Sequence, residues 1–180
     1  PCFCQLSVTD YIRKKDKKPF KQEEYFSNPE AFQSNFDMFS DKTDILINAA
    51  YWDPRSPRLF EEDDINKNFK PKIIGDISCD INGAIPCTKK ASTIEKPFFD
   101  YCIKTKKIEE PFNKEDNITI MSIDNLPSEL PRDSSRYFGN ILVEKILPLL
   151  SLEGNEIIEN ATITKNGELT EKFKYLSDYI

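Results

Sequence analysis

The sequence predicts an α/β protein built on a parallel, doubly wound sheet. Three apolar runs rich in β-branched residues are typical of strands that such a sheet buries on both faces, and they cover residues 44–48, 71–78 and 118–123. Each run ends abruptly on polar residues, and predicted helices follow the first and third runs, at residues 61–68 and 133–150. This alternation of strands and helices favours a parallel sheet over an all-α or all-β domain.

The length and composition of the chain fit one folded domain. Its 180 residues are 38% hydrophobic and 12% aromatic, which is enough for one core but not for two. A formal net charge of −6 gives no electrostatic footprint for nucleic acid or an anionic membrane. No run approaches the roughly 20 apolar residues of a membrane helix, and the basic run 13–18 fits an exposed loop better than a phosphate site. We therefore expect neither a nucleic-acid nor a membrane partner.

The chain has five cysteines and no histidine. An odd number of cysteines without a repeated spacing predicts reduced thiols, and together with the lack of a signal-peptide pattern it predicts a cytoplasmic protein. The pairs Cys2–Cys4 and Cys79–Cys87 lack the two-residue spacing of a zinc site, so we expect no metal. Without histidine, the chain cannot perform Ser-His or Cys-His nucleophilic catalysis.

The segment before the first apolar run carries weaker signals. Residues 1–8 are typical of a short strand. Asn28 and Pro29 suit the N-cap and the first position of a helix. Three phenylalanines then recur at helical spacing, which predicts one face turned towards the core: Phe32, Phe36 and Phe39.

The middle of the chain contains the least regular segment. The acidic residues 61–68 predict a short helix before the second strand, and Asn82–Gly83 predicts a turn after it. Residues 84–117 have neither a helical nor a strand period. We expect them to be irregular, with one or two short edge strands such as 98–103.

The C-terminal third predicts a long helix and a small terminal cap. Pro127 and Pro131 are expected to hold the loop after the third strand away from helical geometry. An amphipathic helical spacing then runs over residues 133–150. A short strand at 161–164 and a turn at Asn166–Gly167 precede a closing helix.

Polar residues follow all three predicted strands, at 48–51, 76–80 and 124–126. In doubly wound sheets, ligands bind beyond the carboxyl ends of the strands, so this pattern predicts a nucleotide-type crevice. The alternative is that these residues are polar only because loops are exposed to water.

The glycine fingerprint of a dinucleotide site, G-x-G-x-x-G, is absent. The five glycines are isolated from one another: Gly75, Gly83, Gly139, Gly154 and Gly167. A Rossmann-type domain would therefore have its first βαβ half upstream of Pro1. The chain would then be the second half of a Rossmann-like parallel sheet, followed by C-terminal helices.

Three motifs and the tail resemble the family of lysine–2-oxoglutarate reductase and lysine-forming saccharopine dehydrogenase. They stand in the family's order from about Glu24 onwards, at residues 45–59, 75–85, 122–132 and 161–175. The combination of Tyr51-Trp-Asp-Pro54 with Ile123-Asp-Asn-Leu-Pro127 is specific. Alanine dehydrogenase is a more distant member of this group, and the first of these loops favours the lysine enzymes over a relative of that kind.

The resemblance implies an oxidoreductase that uses NAD or NADP and interconverts lysine plus 2-oxoglutarate with saccharopine, by hydride transfer to or from an imine. It implies that six residues contact the cofactor: Tyr51, Ile77, Ile123, Asp124, Asn125 and Leu126. It also implies that three residues face the substrate: Ser78, Cys79 and Asp80.

The chain also departs from the family. The family's proton-transfer lysine and histidine belong to an amino-terminal substrate domain that has no counterpart here, so we expect no catalytic residue in this chain. We expect one partial domain over residues 1–180, in which 1–160 form the second half of the dinucleotide-binding domain and 161–180 pack back on the enzyme. Its partner would be the missing N-terminal half, and the isolated chain would be inactive.

One alternative function stays open, a non-catalytic α/β module that keeps the fold for binding or regulation. The expected compartment is the cytoplasm, or the mitochondrion if the full-length protein carries a transit peptide.

Overall fold

The computed structural model of the protein describes residues 2–65, 68–152 and 154–179. Their contacts divide into two compact units, one ending at Leu126 and the other beginning at Pro127. The first unit contains the predicted sheet, and the second is mostly helical with one small hairpin. Among the helices of these residues, none is long and apolar enough to cross a membrane.

The N-terminal segment forms a two-stranded sheet flanked by short helices. In chain order its elements are α1 (Val8–Tyr11), β1 (Ile12–Lys14), α2 (Gln22–Ser27), a 3-10 turn (Pro29–Ala31), β2 (Phe32–Ser34) and α3 (Asp37–Ser40). The strand predicted over 1–8 is wrong for the described residues 2–8, because the Ser7 amide donates to Asp10 Oδ2 at 2.7 Å and α1 begins there instead. The basic run is only partly loop, since Lys14 lies in β1 and pairs with Glu24 at 2.6 Å.

The helix predicted from Asn28 is wrong, although its phenylalanines are core residues. The 3-10 turn Pro29–Ala31 has Asn28 at its N-cap and Pro29 at its first position, as predicted, but it ends there because the backbone of β2 pairs antiparallel with β1. Helical geometry returns only in α3. Phe32 and Phe36 are each 1% exposed, and Phe39 packs partly buried against the core. The predicted burial of these rings is therefore confirmed, while their secondary structure is not.

A mixed five-stranded sheet organises the first unit. Its strands in chain order are β3 (Ile45–Asn48), β4 (Ile73–Asp76), β5 (Phe98–Cys102), β6 (Lys107–Glu109) and β7 (Ile118–Met121). They lie in the spatial order β3-β4-β7-β5-β6, and β3, β4 and β7 run parallel. Ile74 lies in register between Leu46 and Ile120. The predicted α/β class and the three parallel strands are thus confirmed.

Within the segment 84–117, β5 and β6 form an antiparallel hairpin that extends the sheet, so the predicted short strand near 98–103 is confirmed. β5 pairs with both β7 and β6, so it is an interior strand and the predicted edge position is wrong. The outer edge belongs to β6 instead. The acidic helix predicted over 61–68 is reduced to a 3-10 turn at Glu62–Asp64, and residues 66 and 67 lie outside the described part of the chain.

The sheet is fully covered on only one face. The covered face carries Leu46, Ile74 and Ile120, which join the hydrophobic core. Alternate residues of β3 point the other way, and Ile45 and Ile47 are 60% and 66% exposed. Burial on both faces, as predicted for this strand, is therefore wrong within the described residues.

The second unit consists of one long helix and a terminal cap. The long helix combines α4 (Pro131–Ile141), a π-helical turn (Leu142–Ile146) and α5 (Leu147–Leu150). It confirms the predicted helix but begins two residues earlier, because the fixed φ and missing N–H of Pro131 suit the first helical position. Residues 126–129 also form a 3-10 helix, so the prolines do not exclude helical geometry there.

The terminal cap follows with α6 (Glu156–Ala161), β8 (Thr164–Lys165), β9 (Glu168–Leu169) and a 3-10 helix (Glu171–Tyr179). The predicted turn is confirmed, since Asn166 and Gly167 have φ values of 57° and 86° between the two paired strands. The predicted strand at 161–164 begins only at Thr164, because α6 continues through Ala161.

Candidate functional site

The carboxyl ends of β3, β4 and β7 lie side by side, because these parallel strands are neighbours in the sheet. Asn48 and Asp76 end β3 and β4, and both are buried. Asn48 Nδ2 donates to Asp76 Oδ1 at 2.9 Å, and the Ile77 amide donates to the Asn48 carbonyl at 2.7 Å. The first two strand ends are therefore joined by a side-chain and a backbone hydrogen bond.

The turn after β4 connects the ends of both neighbouring strands. Ser78 Oγ donates to the carbonyl of Ala50, beyond β3, at 2.6 Å. On the other side, the Cys79 thiol donates to the carbonyl of Ser122, beyond β7, at 2.9 Å. Cys79 has a φ of 57°, which is uncommon for a residue with a Cβ atom. The turn therefore occupies the centre of the strand-end surface.

The nine residues predicted to contact cofactor or substrate all lie at these strand ends. Tyr51 follows β3 and is 91% exposed, and Ile77 is 39% exposed. After β4, Ser78 and Cys79 are half-buried and Asp80 is exposed; after β7, Asp124 and Asn125 are exposed and Leu126 is half-buried. Ile123 differs, because its side chain is 5% exposed and belongs to the core.

Several polar residues beneath this surface were not identified from the sequence. Thr88 Oγ1 donates to Asp76 Oδ2 at 2.6 Å, and Ser92 and Ser122 exchange hydrogen bonds between the Ser92 amide and the Ser122 carbonyl (2.8 Å) and between the Ser122 amide and Ser92 Oγ (3.0 Å). Thr88 and Ser92 belong to the segment 84–117, which has no sequence period. The Asn82–Gly83 turn, which brings the chain back towards β4, was the only signal that could have located them.

The strand-end surface is electronegative. Burial raises the pKa of the Cys79 thiol above its ordinary value, and the carboxylates of Asp124, Asp76 and Asp80 raise it further. The thiol therefore stays protonated at neutral pH and serves as a hydrogen-bond donor to Ser122 rather than as a nucleophile. Among the described residues, Asp80 and Asp124 have no ion-pair partner.

The exposed groups suit part of a dinucleotide. Asp124 and Asn125 can hydrogen-bond ribose hydroxyls or a carboxamide, and the exposed Tyr51 ring offers an apolar face. The phosphates have no counterpart in the sequence, since no glycine-rich loop is present. Within the described ranges, no group of three or more cysteine, aspartate or glutamate side chains is arranged to hold a metal ion.

Two surface depressions of the first unit lie elsewhere. Their volumes are about 440 and 650 Å³, and residues of the N-terminal segment and of the ranges 55–64 and 68–69 line them. Neither is lined by a residue from the ends of β3, β4 or β7. We therefore place the candidate site at the open strand-end surface, where the polar groups converge.

Gly83→Ala tests how tightly the turn after β4 is packed. A Cβ atom on Gly83 would overlap Asp80 Cβ and lie 2.9 Å from the Asp80 carbonyl oxygen, so the turn must move. We expect a loss of about 1–3 kcal/mol in the free energy of unfolding, as for other overpacked sites. Urea unfolding followed by the fluorescence of the single tryptophan, Trp52, measures it.

The matched control is Gly75→Ala in β4. There the nearest atoms to a new Cβ lie 3.7 and 3.8 Å away, at ordinary van der Waals distance. Equal unfolding midpoints for the two variants would contradict the packing argument.

Comparison with known proteins adds independent information. The family described as alanine dehydrogenase/PNT, C-terminal domain, matches residues 8–173. Alpha-aminoadipic semialdehyde synthase of Arabidopsis thaliana is 31% identical over 96% of the chain, and the mitochondrial enzyme of that name from Mus musculus is 32% identical over 95%. Saccharopine dehydrogenase [NAD(+), L-lysine-forming] of Schizosaccharomyces pombe is 28% identical over 62%.

The chain spans only 17%, 21% and 29% of the lengths of these three relatives, respectively. The matches confirm the resemblance to saccharopine-type enzymes that the strand-end motifs indicated. The alignments with the two alpha-aminoadipic semialdehyde synthases cover nearly the whole chain.

Proposed function

Because the chain belongs to the alanine dehydrogenase/PNT C-terminal domain family, we propose that it forms part of the cofactor domain of an NAD(P)-dependent enzyme of lysine metabolism. The reaction would interconvert lysine plus 2-oxoglutarate with saccharopine. The observation that carries this proposal is the joining of three parallel strand ends whose loops hold the family-like motifs. The similarity to saccharopine-type relatives supports the same reaction class.

The proposed cofactor contacts are the six strand-end residues Tyr51, Ile77, Ile123, Asp124, Asn125 and Leu126. A bound nicotinamide dinucleotide, NAD or NADP, supplies or accepts the hydride. The side chains of Asp124 and Asn125 would orient its ribose or carboxamide, since both are exposed at the end of β7. Ile123 is buried and would act by shaping the surface from beneath.

The proposed substrate contacts lie in the turn after β4, at Ser78, Cys79 and Asp80. The Asp80 carboxylate is exposed and has no described ion-pair partner, so it suits an ammonium group. Ser78 and Cys79 already donate to backbone carbonyls. Their part would be to hold the turn against both neighbouring loops while Asp80 meets the substrate.

The acid–base groups and the phosphate-binding loop would come from the rest of the enzyme, its N-terminal half. This chain contributes no histidine and no glycine fingerprint, which supports that division. In this proposal residues 1–160 complete the dinucleotide-binding domain, and 161–180 pack back on the enzyme. The compartment would be the cytoplasm, or the mitochondrion for a protein with a transit peptide.

The same two features, the missing histidine and the missing glycine fingerprint, also support the competing function, a non-catalytic α/β binding or regulatory module. A chimera separates the two functions. The matched segment of the S. pombe saccharopine dehydrogenase is replaced by the corresponding residues of this chain, and saccharopine-dependent reduction of NAD⁺ is measured. We expect turnover, and a loss of about tenfold in kcat/KM when Asp124 and Asn125 are both changed to alanine, as the loss of one or two hydrogen bonds predicts.

Circular dichroism provides the folding control for the chimera. A folded chimera that neither binds NADH nor turns over would favour the non-catalytic module. The isolated chain should show no turnover with lysine, 2-oxoglutarate and either reduced cofactor. Robust saccharopine formation by the isolated chain would contradict the assignment of the acid–base groups to the rest of the enzyme.

A further inference from the structure

The residues between Asp76 and Thr88 form a loop that is closed at its base by one side-chain hydrogen bond. Thr88 Oγ1 donates to Asp76 Oδ2 at 2.6 Å. Asp76 is 1% exposed and Thr88 is 0% exposed, so water cannot replace either partner of this bond. The closed loop contains the whole turn that carries Ser78, Cys79 and Asp80.

We propose that Thr88 is a positioning residue for this turn, acting through the Asp76 carboxylate. This inference rests on the proposed function, in which the turn faces the substrate. Asp76 Oδ1 accepts from Asn48 Nδ2 at 2.9 Å and from the Cys79 amide at 3.4 Å. The carboxylate has two oxygens in one plane, so the Thr88 hydroxyl on Oδ2, together with Asn48 Nδ2 on Oδ1, orients Oδ1 towards the Cys79 amide.

The backbone of Thr88 adds a second restraint on the same loop. Its carbonyl accepts from the Asn82 amide at 2.8 Å, and its own amide donates to the Ile85 carbonyl at 3.1 Å. Asn82 Oδ1 also accepts from the Lys89 ammonium at 2.8 Å. The far side of the loop is therefore held by residues 88 and 89. Among the hydrogen bonds of the described residues, that of the Thr88 hydroxyl links this side to the end of β4.

A buried threonine next to a core cysteine also has a simpler explanation, which is packing of its methyl group. The two explanations make opposite predictions for two small substitutions. Thr88→Val keeps the shape of the side chain and removes the hydroxyl, whereas Thr88→Ser keeps the hydroxyl and removes the methyl group. A positioning role requires the serine variant to behave like the wild type and the valine variant to differ.

The experiment measures the rate at which a maleimide labels each cysteine of the full chain, resolved by mass spectrometry. In the wild type the Cys79 thiol is half-buried and bonded to Ser122, so its labelling is slow. We expect Thr88→Val to speed labelling of Cys79 about tenfold, because the turn opens when its anchoring hydrogen bond is lost. Thr88→Ser should label at the wild-type rate.

Cys102 is the internal control, because it is buried in β5 and lies outside the loop between Asp76 and Thr88. Its labelling rate should stay constant in both variants. Faster labelling at Cys102 as well as Cys79 would show general unfolding and would overturn the proposal. If the valine variant fails to fold, Thr88→Ala replaces it, since alanine and serine differ only by the hydroxyl.

Unchanged Cys79 labelling in Thr88→Val, or faster labelling in Thr88→Ser alone, would also overturn the proposal and assign Thr88 to packing. The measurement needs neither cofactor nor substrate, so it does not depend on turnover.

In the chimera, Thr88→Val should lower kcat/KM for saccharopine about tenfold without changing the Kd for NADH. Faster Cys79 labelling with an inactive wild-type chimera would leave the positioning role intact and contradict the proposed function only.

Discussion

Ile120→Ala should lower the free energy of unfolding of the first unit by roughly 2–5 kcal/mol, the range for removing a large aliphatic side chain from a core. Ile120 lies in β7, in register with Ile74 of β4 and Phe99 of β5. Ile120 and Ile74 are 0% exposed and Phe99 is 2% exposed, so the resulting cavity has no access to water. Urea unfolding followed by Trp52 fluorescence measures the change, because this tryptophan belongs to the same unit.

Ile47→Ala is the matched control for this prediction. Ile47 is also an isoleucine in a parallel strand, but its side chain points to the uncovered face and is 66% exposed. Its truncation removes little buried area, so the unfolding midpoint should hardly move. A comparable loss in both variants would mean that the uncovered face is covered in solution.

Asp100→Ala should destabilise the first unit by about 3 kcal/mol, since it removes the acceptor of two buried side-chain donors, Asn117 and Thr119, and of two partly buried amides. Asp100 is 0% exposed in the interior strand β5. Its carboxylate accepts from Thr119 Oγ1 at 2.7 Å, from the amides of Phe112 and Asn113 at 3.1 and 3.2 Å, and from Asn117 Nδ2 at 3.4 Å. One side chain therefore fixes the loop after β6 against β7.

The control for this prediction is Asp116→Ala in the same loop. The Asp116 side chain is 79% exposed and pairs with Lys104 at 3.3 Å across the surface. Surface pairs of this kind contribute little to stability, so we expect no measurable change. Chemical unfolding of both variants in parallel gives the comparison. An Asp100→Ala protein as stable as the Asp116→Ala protein would show that the loop donors find other partners.

Asp100 also explains why β5 was predicted as an edge strand and not as an interior one. A carboxylate in the middle of Phe98–Cys102 breaks the apolar pattern by which a buried strand is identified. The strand forms because donors from four other residues satisfy that carboxylate, and none of them is near it in sequence. The local sequence pattern contains no information about these long-range hydrogen bonds.

The phenylalanines near the N-terminus show a related limit. Phe32 and Phe36 are four residues apart, which fits one face of a helix. The same spacing also fits a short strand followed by a turn, if both rings point to one core. Pairing with β1, about 20 residues earlier in the chain, decides between the two, and the hydrophobic pattern is identical in both cases.

The candidate site has an outer layer, whose residues the sequence predicted, and an inner layer beneath it, whose residues it did not. The outer layer, from Tyr51 to Leu126, follows from strand ends and from motif resemblance, and its binding roles stay predictions. The inner layer of Thr88 and Ser92 carries no motif. Their importance depends on hydrogen bonds to Asp76 and Ser122, which lie 12 and 30 residues away.

The sequence by itself determined the α/β class, the three parallel strands, the resemblance to saccharopine-type enzymes and the absence of histidine chemistry. These properties depend on short runs of residues or on composition. The tertiary structure alone decided that the sheet is mixed, that β3 exposes one face and that Thr88 closes the loop beneath the site. The physical reason is that strand pairing and the satisfaction of buried polar groups depend on residues distant in the chain, whose energies no local pattern contains.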